Sequence, residues 1–259
     1  MKNTTRIHAL KIMTLGAAVP GFLLRSYLYA SAVDQKGLII SGHWATRALV
    51  GLTLLFLAGL LLLIDNPKQE LEYQDCFAPS VWRGCGALAA ATAILLQVFQ
   101  NGMISPDSVS NVASILGVAA GIGLLVAGIC RLLGAKPHFL CHSAVSLYFA
   151  IQLVNLYRGW SSDPQLINYG FYLAAFVCLM LTAYFLAGFE ADMGNRRALW
   201  FFSMAASFFC LLALPESGDA GLLIACALWA FFCAPQSQAK ARRSRPAMNL
   251  NEETEDENS

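Results

Sequence analysis

The residues with the widest chemical repertoire lie near the ends of apolar runs. His43 and Arg47 are four apart, so a helix presents them on one face. Gln97, Gln100 and Asn101 fall together, as do Gln152, Asn155, Tyr157 and Arg158, while Arg25 stands with Tyr27 and Tyr29, and Asn168 with Tyr169. Arg25, Arg47 and Arg158 would hold a carboxylate or phosphate through paired N–H groups. His43 beside Asp34 or Asp163 would offer general acid–base chemistry. Asp34, Asp107, Asp163, Glu216 and Asp219 add a rim of negative charge that would attract cations or basic groups.

A second constellation is His138, Cys141 and His142, on one helical face at i, i+3 and i+4. Two histidines four apart can chelate a transition metal. No CxxC, HExxH or CxxCH accompanies them, and no carboxylate is evident to orient a ligating ring. The expectation is an ordinary interfacial pair, with no metal and no cofactor. No GxSxG elbow, P-loop or GxGxxG occurs, and no pair of carboxylates is expected to be buried in helices, so no residue is assigned a catalytic role. Gly117 and Gly121 form a small-residue stripe suited to helix–helix contact.

The elements that must position these groups follow from composition. Of 259 residues, 57% are hydrophobic and 13% charged, against about 25% charged in soluble chains. Mean hydropathy is +0.56. A soluble enzyme, a disordered protein and a nucleic-acid module are excluded, and the lipid bilayer is the implied partner. A bilayer core of about 30 Å needs about 20 apolar residues per helix. Stretches near 9–30, 43–64, 84–104, 111–133, 138–158, 165–188, 197–214 and 218–234 qualify, the last two being short. No alternating strand pattern competes, which predicts an all-α integral membrane bundle of eight transmembrane helices. Cys130, Cys141, Cys178, Cys210, Cys226 and Cys233 lie in or beside these runs, as small hydrophobes do.

Lysine and arginine placement sets the orientation. With the N-terminus inside, every Lys and Arg except Arg25, Lys36, Arg47 and Arg158 falls on the cytoplasmic side. Both termini are then cytoplasmic in a bacterial plasma membrane. The competing reading is a cleaved signal peptide ending near Ala30-Ser31-Ala32, which leaves seven helices. Residues 235–259, basic at Lys240–Arg245 and acidic at Glu252–Glu257, read as a disordered cytoplasmic tail. It would rest on anionic lipid or dock a protein partner.

Two features return 129 residues later: Asp34 as Asp163, and Phe56-Leu57-Ala58-Gly59 as Phe185-Leu186-Ala187-Gly188. They suggest two parallel four-helix halves. The stretches Asp34-Gln35-Lys36-Gly37-Leu38 with Gly42-His43, and Tyr157-Arg158-Gly159-Trp160 with Asp163-Pro164-Gln165, resemble a family of polytopic membrane proteins from anaerobic Gram-positive bacteria. That resemblance implies eight helices and a plasma-membrane location, and carries no activity.

Depth is the informative pattern. The cytoplasmic halves are bland, as in Leu49–Ile64, Ile115–Ile129 and Leu222–Phe232, whereas the outer halves hold the polar groups. Buried amides at Gln97 and Gln152 each need a partner. One reading makes Arg25, His43, Arg47, Gln97, Gln152, Asn155 and Asp163 the lining of an outward pocket in a carrier of a small molecule or ion. The other is structural: arginines snorkel, Trp44, Trp160 and Tyr169 form an interfacial belt, and amides join helices. A non-catalytic sensor or assembly subunit acting through a partner is the alternative to the carrier.

Overall fold

The computed structural model describes residues 2–31, 43–64, 73–77, 80–101, 108–160, 170–216 and 218–235. Asp34, Asp107, Asp163, Asn168, Tyr169 and the tail from residue 236 lie outside the described residues. The long elements are all helices: α1 (Lys2–Ser31), α2 (Trp44–Leu63), α4 (Val81–Asn101), α5 (Ser108–Leu132), α6 (Phe139–Trp160), α7 (Gly170–Glu190), α8 (Arg196–Ala213) and α9 (Ala220–Cys233). A single helical turn, α3 (Tyr73–Cys76), precedes α4, and a 3₁₀ turn (Leu214–Glu216) joins α8 to α9. Among the described residues seven helices are long and apolar enough to cross a membrane, and α9, with 14 residues, is shorter. The fold of the described residues is an all-α bundle of eight long helices.

Tight ends keep neighbouring helices adjacent. Gly134 adopts a left-handed conformation (φ 74°) after α5, and Ala135 N–H returns to the Cys130 carbonyl at 2.8 Å. Asp192 does the same after α7 (φ 59°), where Met193 N–H reaches the Gly188 carbonyl at 2.8 Å. A Lys136–Asp192 ion pair at 2.7 Å links the two turns. Asn195 caps α8 by accepting from Ala198 N–H at 3.1 Å.

Helices α4 to α9 pack in chain order, and α9 returns to α4, closing a ring of six. Helix α9 also touches α7 across the ring. Helix α1 lies outside against α8, and α2 lies against α1. The packing therefore divides six and two, not four and four. The repeated Phe-Leu-Ala-Gly segment sits on peripheral α2 and on ring helix α7, and in both copies the phenylalanine stacks on α8: Phe56 on Phe208 at 4.2 Å, Phe185 on Phe202 at 5.5 Å.

The core runs along the inner faces of the ring, with Tyr148, Phe149, Phe176 and Trp229 fully buried, and continues between α8 and α2, where Phe208 is fully buried against Phe56. The outward faces are equally apolar. Leu55 is 75% and Leu62 86% exposed on α2, a surface that lipid covers and water would not. This is a polytopic membrane protein.

Small residues let α5 approach both ring neighbours. A side chain at Gly117 would meet Val98 and Tyr148, and one at Gly121 would meet Leu95, so the stripe does face a partner helix. At Gly123 the obstacle is backbone: a Cβ would stand 2.8 Å from the Cys141 carbonyl oxygen. Gly123→Ala must push α5 and α6 apart and should cost about 1–3 kcal/mol. Gly51, with open space around it, should accept alanine silently. Thermal melts of the two variants in detergent check this; equal melting temperatures would contradict the close approach.

Candidate functional site

Polar groups gather at both ends of the ring. The first end is basic, since Arg83, Arg131 and Lys136 meet there and Lys11 lies over Phe231 near the end of α9. A helix leaves its last carbonyls without partners. For α9 they are met by Arg83, whose Nε donates to the Phe232 carbonyl and Nη2 to the Ala234 carbonyl, each at 3.1 Å. Arg131 Nη1 donates to Cys233 Sγ at 3.1 Å. Two cations thus hold the negative end of the α9 dipole.

Arg131 also belongs to a buried triad. His142 Nδ1 stands 2.7 Å from Glu190 Oε1 and 2.9 Å from Oε2, and both side chains are fully buried. Arg131 Nη2 is 4.0 Å from Glu190 Oε1 and 3.5 Å from His142 Nε2. Trp229 stacks on the His142 ring at 6.2 Å. Tyr73 and Phe77 cover this end: they stack at 4.8 Å, and the guanidinium groups of Arg83 and Arg131 lie over the Phe77 ring. Burial pushes the Tyr73 phenol above its ordinary pKa despite the opposing pull of Arg131, so its hydroxyl keeps its proton.

Several expectations change here. His142 is a core residue, whereas His138 is exposed and its Nδ1 accepts from Leu140 N–H at 3.4 Å, so the two are not an interfacial pair. A carboxylate does orient His142, and it is buried, because α7 extends to Glu190, two residues beyond the apolar stretch that ends at residue 188. The bland stretches Ile115–Ile129 and Leu222–Phe232 stop just short of this cluster. Arg83, Arg131, His142, Glu190 and Cys233 each lie within about one turn of a helix end. That shared depth is the signal that could have found them. Among the described residues no three His, Cys, Asp or Glu side chains gather as a metal site.

At the opposite end a hydrogen-bond chain crosses three helices. Tyr148 OH, from near the middle of α6, donates to Gln97 Oε1 at 2.9 Å, and Gln97 Nε2 donates to Asp219 Oδ2 at 3.0 Å. Gln152 lies one turn above Tyr148 and within hydrogen-bonding reach of its hydroxyl. Asp219 is the N-cap residue of α9, but its side chain caps nothing and turns to Gln97. Asp219, Gln97, Gln100 and Thr92 form the polar lining of a groove of about 470 Å³ between α4 and α9, continued by Ala93, Leu96 and Leu222.

The structure thus brings Gln97 and Gln152 together through Tyr148. Arg25 is buried on α1, its guanidinium 4.5 Å from the Phe171 ring and 5.5 Å from that of Tyr29. Asn155 is half-buried on α6. His43 caps α2, accepting from Ala45 N–H at 3.3 Å, and lies against Tyr27. Arg47 is exposed on α2. Since α2 packs on α1 and the flank of α8, His43 and Arg47 stand apart from the Gln97 chain. Asp163 lies outside the described residues.

No protein-family model, curated protein or solved structure matches this chain.

Removing one member of a buried ionic group strands the others. Glu190→Ala should cost about 3–5 kcal/mol, whereas Lys136→Ala, at a partly exposed pair, should cost less than about 1 kcal/mol. Denaturation in mixed micelles measures both, and similar losses would show that the triad is not buried as described.

Proposed function

We propose that the protein is a carrier for a small molecule or ion, which it holds at the Gln97–Asp219 groove. A carboxylate inside a membrane-crossing region is the observation that carries this reading. Gln97 lies within the crossing stretch Val81–Gln100, and its amide fixes Asp219 at that depth. An ionisable group inside a membrane is expensive unless it faces a partner or a wet cavity. Asp219 has both, in Gln97 and the groove.

The chemistry selects what would fit. Tyr148 donates to Gln97, so the Gln97 amide N–H is committed to Asp219 and the carboxylate is left to accept from a guest. A cation or an N–H or O–H donor satisfies it, while the Ala93, Leu96 and Leu222 wall suits a compact apolar body. The volume lies in the range of small-molecule sites. In this reading the basic end, with Lys11, Arg83, Arg131, Lys136, Arg196 and Arg197, faces the cytoplasm of a bacterial plasma membrane, and the groove opens in the outer half.

A ligand that binds only the folded protein stabilises it by about 2.7 kcal/mol at a hundredfold excess over Kd. A thermal-shift screen of the purified protein against ions, amines, carboxylates and metabolites should return a hit. That shift should vanish in Asp219→Asn and Gln97→Leu and persist in Arg47→Leu. A hit that survives both groove substitutions would move the site elsewhere, and a blank screen would favour a sensor or assembly subunit.

A further inference from the structure

The triad at the basic end has a feature that a static clamp does not need. An arginine N–H can only donate, so the 3.5 Å approach of Arg131 Nη2 to His142 Nε2 requires that Nε2 carry no proton. Nδ1 then holds the ring proton and donates to Glu190. The imidazole is neutral, between a carboxylate and a guanidinium. Arg131 is not fully satisfied either: it is 4% exposed, and its Nε has no hydrogen-bond partner among the described residues. A buried ionic group of this kind is no better for stability than well-packed apolar residues of the same volume.

We infer that His142 Nε2 is a proton-binding site, and that its occupation excludes Arg131 from its present position. The proton comes from the aqueous phase at the basic end and adds to the Nε2 lone pair; no bond to a heavy atom forms or breaks. It places an N–H against the Arg131 N–H, two donors and two positive charges face to face. Glu190 stabilises the imidazolium from the Nδ1 side, and Arg131 swings away. Arg131 holds Cys233, so the α9 end is released from one of its two arginines while Arg83 keeps the other.

The groups facing the site set the balance. They are Arg131 from α5, Glu190 from α7, Cys233 from α9, Tyr73 from the covering turn and Arg83 from α4, with Lys11 beyond Arg83. Cys141 is the neighbour on α6 itself, near Glu190. The positive groups outnumber Glu190, so the carboxylate is the group that makes uptake of a proton feasible. This inference does not depend on what the groove binds.

Trp229 supplies the readout, because its ring lies nearly parallel to His142 (9°) and an imidazolium quenches indole emission far more than a neutral imidazole does. The probe is the proton. Emission of the full chain in nanodiscs is recorded from about pH 8 to pH 5, where histidine changes charge, and the Trp229→Phe signal is subtracted. The Trp229 emission should fall on acidification, and the fall should be absent in His142→Asn. Glu190→Gln should keep the fall but shift its midpoint to lower pH by about one unit or more. A flat profile in the wild-type protein overturns the inference, as does an unchanged fall in His142→Asn. Should His142→Asn not fold, the Glu190→Gln midpoint decides, and an unshifted midpoint counts against the site.

Discussion

The grip of Arg83 and Arg131 on the last residues of α9 is the constraint from which the rest of the bundle follows. Helix α9 has only 14 residues, about 21 Å of rise, against about 31 Å for α4 beside it. A helix that short cannot reach both faces of a core of about 30 Å. Pinned at the basic end, it must stop early at the other. Asp219 is where it stops, level with Gln97 and about one turn inside the end of α4. The depth of the carboxylate is therefore a consequence of the arginines at the far end.

The same geometry explains why the two ends differ. At the basic end Arg83, Arg131 and Glu190 are dry, with Glu190 answered by His142 and Arg131 and Arg83 by two carbonyls. At the other end α9 falls short, and the space it leaves between itself and α4 becomes a groove bordered by Asp219. One end is built like a lock on the helix, the other like a mouth. Helix α9 is the element common to both.

Much of this was legible in the residues. Eight apolar runs gave eight helices, because in lipid no other local structure satisfies the backbone. Gln97 stood out, since an amide at that depth needs a partner, and Asp219 belonged to the acidic rim. Less was legible where chemistry depends on which helices become neighbours. Nothing in the spacing says that α4 meets α9 or that α2 stays outside the ring, so His43 and Arg47 looked equivalent to Gln97. Glu190 was hidden for a smaller reason: at the end of α7, two residues before Asp192, it resembles a loop acid. Its burial comes from α6 and α5, which bring His142 and Arg131 to the same level. The two copies of Phe-Leu-Ala-Gly lie on helices with different places in the bundle, α2 outside the ring and α7 within it, which the repeat itself does not reveal.

The register of α9 against α4 is the most direct test of this account. Paired cysteines placed by Gln97→Cys and Asp219→Cys, treated in native membranes with a short bifunctional thiol reagent and located by peptide mass spectrometry, measure it without any ligand. The account predicts efficient bridging between positions 97 and 219 and little between 219 and a cysteine placed by Ala93→Cys, one turn nearer the basic end. Bridging that favours position 93 would mean that α9 is not held where the two arginines place it, and the intramembrane carboxylate would lose its basis.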